Sequence, residues 1–225
     1  MGLREPRRPA AVLWDLDGTL VDSEPLWGVA LDEVANAMGR PLTDEVRLEM
    51  VGTDAEATMA ILARHTEAAV TRAELDAIHE KVLRRVEGLL HDELDVLPGA
   101  VETLHRVRAA GVPMALVTSS PRRTAEPALA RLGPGLFDVV VTAEDVTARK
   151  PAPEPYRRAA RLLGVAAAEA WAVEDSVSGA AAAAAAGCRV FLVPGATADG
   201  AAPGATALAS LTQIAEWAVA AGPLT

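Results

Sequence analysis

Two carboxylates stand two residues apart, Asp15 and Asp17, directly after the apolar run Ala10–Trp14 and directly before Gly18-Thr19. Like charges this close repel unless a cation or a proton lies between them. An ionised Asp15 is a competent nucleophile toward phosphorus, and Asp17 could carry a proton to and from an oxygen. Taken alone, an Asp-x-Asp-Gly run is also compatible with a solvated turn. A calcium loop is disfavoured, because Thr19 and Leu26 occupy the places where that loop needs an acid or Asn and a glutamate.

Such groups work only if the fold gathers them. From Val96 onward, short β-prone runs alternate with amphipathic or alanine-rich segments, the pattern of βα units on a parallel sheet. Ala10–Trp14, Pro113–Val117, Asp138–Thr142, Ala170–Val173 and Arg189–Val193 read as strands. Gly99–Ala110, Arg122–Leu132, Pro155–Leu163 and Ser176–Ala186 read as helices. Gly111, Gly133, Gly164 and Gly187 each follow a helical run, where a glycine can end the helix in the left-handed conformation. The alanines Ala180–Ala186 predict a helix face pressed closely onto the sheet.

Between Glu24 and about Glu93 the pattern is helical throughout, in segments Leu26–Met38, Asp44–Met50, Ala55–His65 and Arg72–Leu90. Helices alone inside a βα series predict an insertion. The expected division is a core of residues 1–22 and 96–225 and an inserted domain of residues 23–95.

In a parallel sheet, functional groups collect at the carboxyl ends of the strands. Four strand ends carry them here: Asp15 and Asp17, then Thr118 and Ser119, then Lys150 on the loop after Thr142, then Glu174 and Asp175. Three carboxylates with one lysine suit a hard divalent cation such as Mg2+, which takes oxygen ligands and shares them with phosphate. Glu174-Asp175-Ser176 also suits a helix start, and that role is compatible with metal binding.

Asp15-Leu16-Asp17-Gly18-Thr19, Val117-Thr118-Ser119, Lys150-Pro151 and Val173-Glu174-Asp175-Ser176 resemble, in order, the four motifs of the haloacid dehalogenase superfamily. The resemblance spans nearly the whole chain. It implies an α/β fold: a Rossmann-like parallel sheet with helices on both faces, plus a small all-helical cap inserted after the first strand. It also implies roles, with Asp15 as the aspartyl-phosphate nucleophile and Asp17 as acid/base and backbone-carbonyl metal ligand. Thr118 and Ser119 would bind phosphate, Lys150 would neutralise charge, and Asp175 would join Asp15 and Asp17 on Mg2+. Glu174 would be a ligand or lie just behind the ligands.

Within that superfamily, Asp17 resembles the phosphatases and mutases and not the dehalogenases. The β-phosphoglucomutase branch is similar, but its relay histidine, twelve residues after the nucleophile, is replaced here by Trp27, and its lysine three residues after the motif-two hydroxyl by Pro121. Asp22-Ser23-Glu24-Pro25-Leu26-Trp27 and Ser119-Ser120-Pro121 resemble hexose- and hexitol-phosphate phosphatases of the 2-deoxyglucose-6-phosphatase type. The implied activity is hydrolysis of a sugar or sugar-alcohol phosphate. A phosphosugar mutase and a phosphate-sensing or partner-binding protein with negligible turnover stand as alternatives. Selectivity is expected in the cap, around Met50–Ala55. Trp27 reads as a hinge core residue, or as a face on which a sugar stacks.

Charge and composition bound the partners. Lys plus Arg is 21 against Asp plus Glu 31, a net charge of −10, which disfavours nucleic acid and anionic membrane surfaces. No apolar stretch approaches the ~18 residues of a membrane span, so the expectation is a cytoplasmic, monomeric protein whose partner is a small phosphorylated metabolite. The single cysteine, Cys188, excludes an intramolecular disulfide and a cysteine-based zinc site. His65, His79, His91 and His105 lack metal-ligand spacing.

Overall fold

The computed structural model describes residues 7–50, 53, 55–67, 71–193 and 204–220. In chain order the elements are β1 (Ala11–Trp14), β2 (Val21–Asp22), α1 (Glu24–Ala37), α2 (Asp44–Met50), α3 (Ala55–His65), α4 (Arg72–Glu93), β3 (Asp95–Val96) and α5 (Ala100–Ala109). There follow β4 (Met114–Val117), α6 (Arg122–Leu132), β5 (Val139–Val141), α7 (Glu154–Leu162), β6 (Ala170–Glu174), α8 (Val177–Ala186), β7 (Arg189–Leu192), β8 (Thr206–Ala207) and α9 (Thr212–Ala220). These fall into two compact units, Met1–Asp22 with Asp95–Thr225, and Ser23–Leu94.

The first unit is built on a six-stranded sheet in the order β5-β4-β1-β6-β7-β8, with every adjacent pair parallel. All residues of β1, β4 and β6 are buried, as expected of strands covered on both faces. On one face, Ala11, Leu13, Ala115, Val117, Ala170 and Ala172 pack with Tyr156, Ala159 and Ala160 of α7 and with Ala180, Ala182 and Ala183 of α8. Small side chains on both sides let α8 lie close to the sheet. It ends where Gly187 turns left-handed at φ 97°. On the other face, Phe191 meets Trp171 and Trp217 of α9 at ring-centroid distances of 5.0 and 5.6 Å. The α/β class with helices on both faces is therefore as the motifs imply.

Three short strands and one helix have no counterpart in the sequence reading: β2, β3, β8 and α9. Val21 and Asp22 pair antiparallel with Val96 and Asp95, so the chain leaves and re-enters the first unit through one two-stranded ribbon.

The second unit consists of α1 to α4. α4 starts on a capping box, in which Thr71 Oγ1 accepts from Glu74 N at 3.3 Å and Glu74 Oε2 accepts from Thr71 N at 2.7 Å. Arg85 of α4 grips Glu33 of α1 with two hydrogen bonds of 2.7 and 2.9 Å, over a buried layer that includes Leu26, Ala30, Val82 and Val86. The segment Met50–Ala55 lies partly outside the described residues. Among the described residues no helix is long and apolar enough to cross a membrane.

Candidate active site

β1 lies between β4 and β6, with Trp14 level with Leu116 and Val173. The chain segments leaving these three strands therefore emerge together. The ladder continues one residue past β1, since Asp15 N donates to Val173 O at 3.0 Å. Strand side chains alternate between faces, so Asp15 follows Leu13, and Glu174 follows Ala172, onto the face covered by α7 and α8. Two carboxylates thus arrive at the edge of an alanine-lined layer where water is scarce.

Lys150 meets them there. Its Nζ donates to Asp15 Oδ1 and to Glu174 Oε1, each at 2.6 Å, and its side chain is only 6% exposed. Glu174 is fully buried and holds two further donors: the Tyr156 hydroxyl on Oε1, and Ser176 Oγ on Oε2 at 3.1 Å. Ser176 in turn caps α8, accepting from Gly179 N at 3.1 Å.

Asp17 has a different set of partners. Its Oδ2 accepts from Ser120 Oγ at 2.8 Å and from Thr118 Oγ1 at 3.2 Å, while Thr118 Oγ1 accepts from Ser120 N at 2.9 Å. Ser119 is exposed. Ser120 is thus a site residue that the motif reading missed. Ser119 and Ser120 sit in a bend just after β4, where no strand alternation tells which serine turns inward.

Gly18 completes the loop at φ 77°, and a Cβ there would stand 2.2 Å from Asp175 Oδ2. The left-handed turn and the missing side chain together bring Asp175 against the Asp15–Asp17 loop. Asp15, Glu174 and Asp175 offer carboxylate oxygens that all lie within 4.8 Å of one another.

The charge is unbalanced. Burial pushes the Asp15 carboxyl well above its ordinary range; Lys150 pulls it back, and Glu174, Asp175 and Asp17 push it further up. Burial, and then the charge of Glu174, raise Asp175 to about 7. Lys150 is driven upward by the attraction of Asp15 and Glu174, which overrides its own burial. One ammonium faces three carboxylates, all of them hard oxygen donors. A divalent cation fits this donor set, because it supplies the missing positive charge to ligands of the kind it prefers.

Trp27 is half-buried and lines a cavity of about 270 Å³ inside the helical unit, with Glu24, Gly28, Leu31, Leu42, Arg47 and Met50. Trp27 therefore borders open space, with a carboxylate and a guanidinium beside it.

Comparison with known proteins gives this arrangement a lineage. Hexitol phosphatase A of Escherichia coli is 36% identical over 181 residues, covering 80% of this chain and 81% of that protein. A phosphorylated carbohydrates phosphatase of Thermotoga maritima is 34% identical over 192 residues, covering 84% and 88%. The crystal structure of CbbY from Rhodobacter sphaeroides in complex with phosphate superposes with a TM-score of 0.79 at 28% identity, covering 92% of this chain and 96% of that one. The family model of the haloacid dehalogenase-like hydrolases matches residues 9–187, a span that contains all four motifs, and the chain belongs to that family.

Proposed function

We propose that the protein is a magnesium-dependent phosphatase of a small sugar or sugar-alcohol phosphate, working through an aspartyl-phosphate on Asp15. Its family and its phosphatase relatives make it a phosphoric monoester hydrolase acting on phosphorylated small molecules. The observation that carries the finer reading is the different company of the two aspartates. Asp15 sits on the lysine among the carboxylates, as a nucleophile would, and Asp17 sits on two hydroxyls, as a proton carrier would.

In the first half-reaction a carboxylate oxygen of Asp15 attacks phosphorus, the bond to the ester oxygen breaks, and Asp17 gives that oxygen its proton. In the second, Asp17 takes a proton from water, whose oxygen attacks the phosphorus on Asp15. The Asp15–phosphorus bond then breaks, releasing inorganic phosphate and restoring both aspartates. Lys150 has three N–H donors, of which Asp15 and Glu174 take two, and the third serves a phosphoryl oxygen; the Thr118 hydroxyl joins it when its one proton turns from Asp17 to the phosphate. Asp15, the Asp17 backbone carbonyl and Asp175 would hold Mg2+, with Glu174 kept behind them by Lys150, Tyr156 and Ser176. When bound, that ion supplies positive charge to the phosphoryl group and keeps Asp15 ionised.

Substrate choice is assigned to the helical unit, where the Trp27 cavity offers an aromatic face, a carboxylate and a guanidinium to a hydroxylated carbon chain. Trp27 in place of a relay histidine argues against the mutase.

The test is phosphate release from a panel of sugar, polyol, glycolate and nucleotide monophosphates, with Mg2+ and with chelator, beside Asp15→Asn. Metal-dependent release from a hexose or hexitol phosphate, lost in Asp15→Asn, is expected. Retention of most activity by a folded Asp15→Asn variant would overturn the reading.

A further inference from the structure

Tyr156 belongs to none of the four motifs, yet it reaches the centre of the site. It stands in the first turn of α7, has no exposed surface, and gives its hydroxyl proton to the same oxygen, Glu174 Oε1, that accepts from Lys150. Its ring lies under the ammonium, with Lys150 Nζ 5.3 Å from the ring centroid. A phenol hydroxyl keeps its proton, and so stays a donor, throughout the neutral range.

The Glu174 carboxylate is enclosed on its other sides too. Ser176 holds Oε2, and a Cβ on Gly179 would stand 2.0 Å from both carboxylate oxygens, so the backbone of α8 backs directly onto the group. Glu174 thus has one open direction, and Lys150 lies in it. The lysine itself is a flexible four-carbon chain whose head could follow Asp15 wherever that residue moved.

We propose that Tyr156 is a positioning residue, holding Lys150 in register with Asp15 through the Glu174 carboxylate. The inference rests on the hydrolase reading for its kinetic consequence alone. Without the phenol, Lys150 is the sole donor on Oε1 and the carboxylate is free to turn toward it. The ammonium then shifts away from the position that serves Asp15 and the phosphoryl group.

The test uses Tyr156→Phe, which keeps the ring and removes only the hydroxyl. The chain has two lysines, Lys81 and Lys150, so the nitrogen-15 spectrum of side-chain ammonium groups contains two signals, assigned with Lys81→Arg. The wild-type Lys150 signal is expected to be sharp and protected from hydrogen exchange. In Tyr156→Phe it should shift and exchange about tenfold faster or more, while the folded methyl spectrum persists. This readout needs no turnover, so it decides the proposal even if no phosphomonoester is hydrolysed, an outcome that would sink only the functional reading.

In the active enzyme, Tyr156→Phe should lower kcat about tenfold and change KM less than twofold. In a Glu174→Ala background, which removes the oxygen that Tyr156 and Lys150 share, the same substitution should cost less than about twofold more. An unchanged ammonium signal, full multiplication of the two effects, or loss of the folded spectrum would each overturn the proposal and leave Tyr156 as packing only.

Discussion

Gly18 and Asp175 are in mutual contact across the site, with a Cβ on residue 18 falling 2.2 Å from Asp175 Oδ2. Gly18→Ala therefore strains a backbone at φ 77° and displaces a candidate metal ligand at once. A misplacement of about 1 Å costs on the order of 10²-fold in rate, so kcat/KM should fall by at least that much. The check is steady-state kinetics with a Mg2+ titration, and the half-saturating Mg2+ concentration should rise. Wild-type kinetics in Gly18→Ala would remove Asp175 from the site.

Ser120 and Ser119 are adjacent and should respond differently. Ser120→Ala takes a hydroxyl from Asp17 and should lower kcat about tenfold with little change in melting temperature. Ser119→Ala removes an exposed group and should stay within about twofold of wild type. Parallel assays of the two variants read the register of this segment directly.

Lys150→Arg keeps the charge and should still fail. The pocket between Asp15 and Glu174 holds a compact ammonium that is 6% exposed, and a planar guanidinium needs room that Tyr156 occupies. A loss of about 10²-fold in kcat is expected, measured beside Lys150→Met, which removes the charge altogether.

The raised carboxyls make stability depend on pH in a direction opposite to most surface acids. Asp15 and Asp175 keep protons in the folded state that the unfolded chain releases above about its ordinary value of 3.8. Their contribution is present below that value and is lost as pH rises toward about 7 and beyond. Between pH 5 and 8, metal-free protein in chelator should therefore melt at progressively lower temperature. Saturating Mg2+ should raise the melting temperature more at pH 8 than at pH 5, because it must displace protons at the lower pH. A melting temperature in chelator that climbs across this window would mean that the carboxyls ionise unaided.

Most of the core was legible because its signals are local. β1, β4 and β6 are short apolar runs, and the helices before Gly111, Gly164 and Gly187 end at glycines with positive φ. β2, β3 and β8 have two residues each, too few to show a period, and α9 is easily passed over in an alanine-rich tail, although Ser210 and Gln213 form a capping-box pattern at its start. Asp15, Asp17, Thr118, Lys150 and Asp175 could be picked out because each follows a strand in a recognisable motif. Ser120 and Tyr156 could not, since one depends on which way a residue turns, and the other reads simply as a buried position of an amphipathic helix.

The β2–β3 ribbon places Asp22 and Asp95 side by side, roughly 5 Å apart as in any antiparallel pair. An excision of Ser23–Leu94 followed by a two-residue Asn-Gly join would leave an ordinary hairpin and re-thread no strand of the six-stranded sheet. The helical unit is in this sense a cassette, spliced into a surface where both cut ends already meet. Because loop closure depends only weakly on length, cassettes of other sizes would close the same gap at similar entropic cost. Recombination could therefore exchange the helical half of such a chain while the half that carries Asp15 and Asp17 is inherited intact.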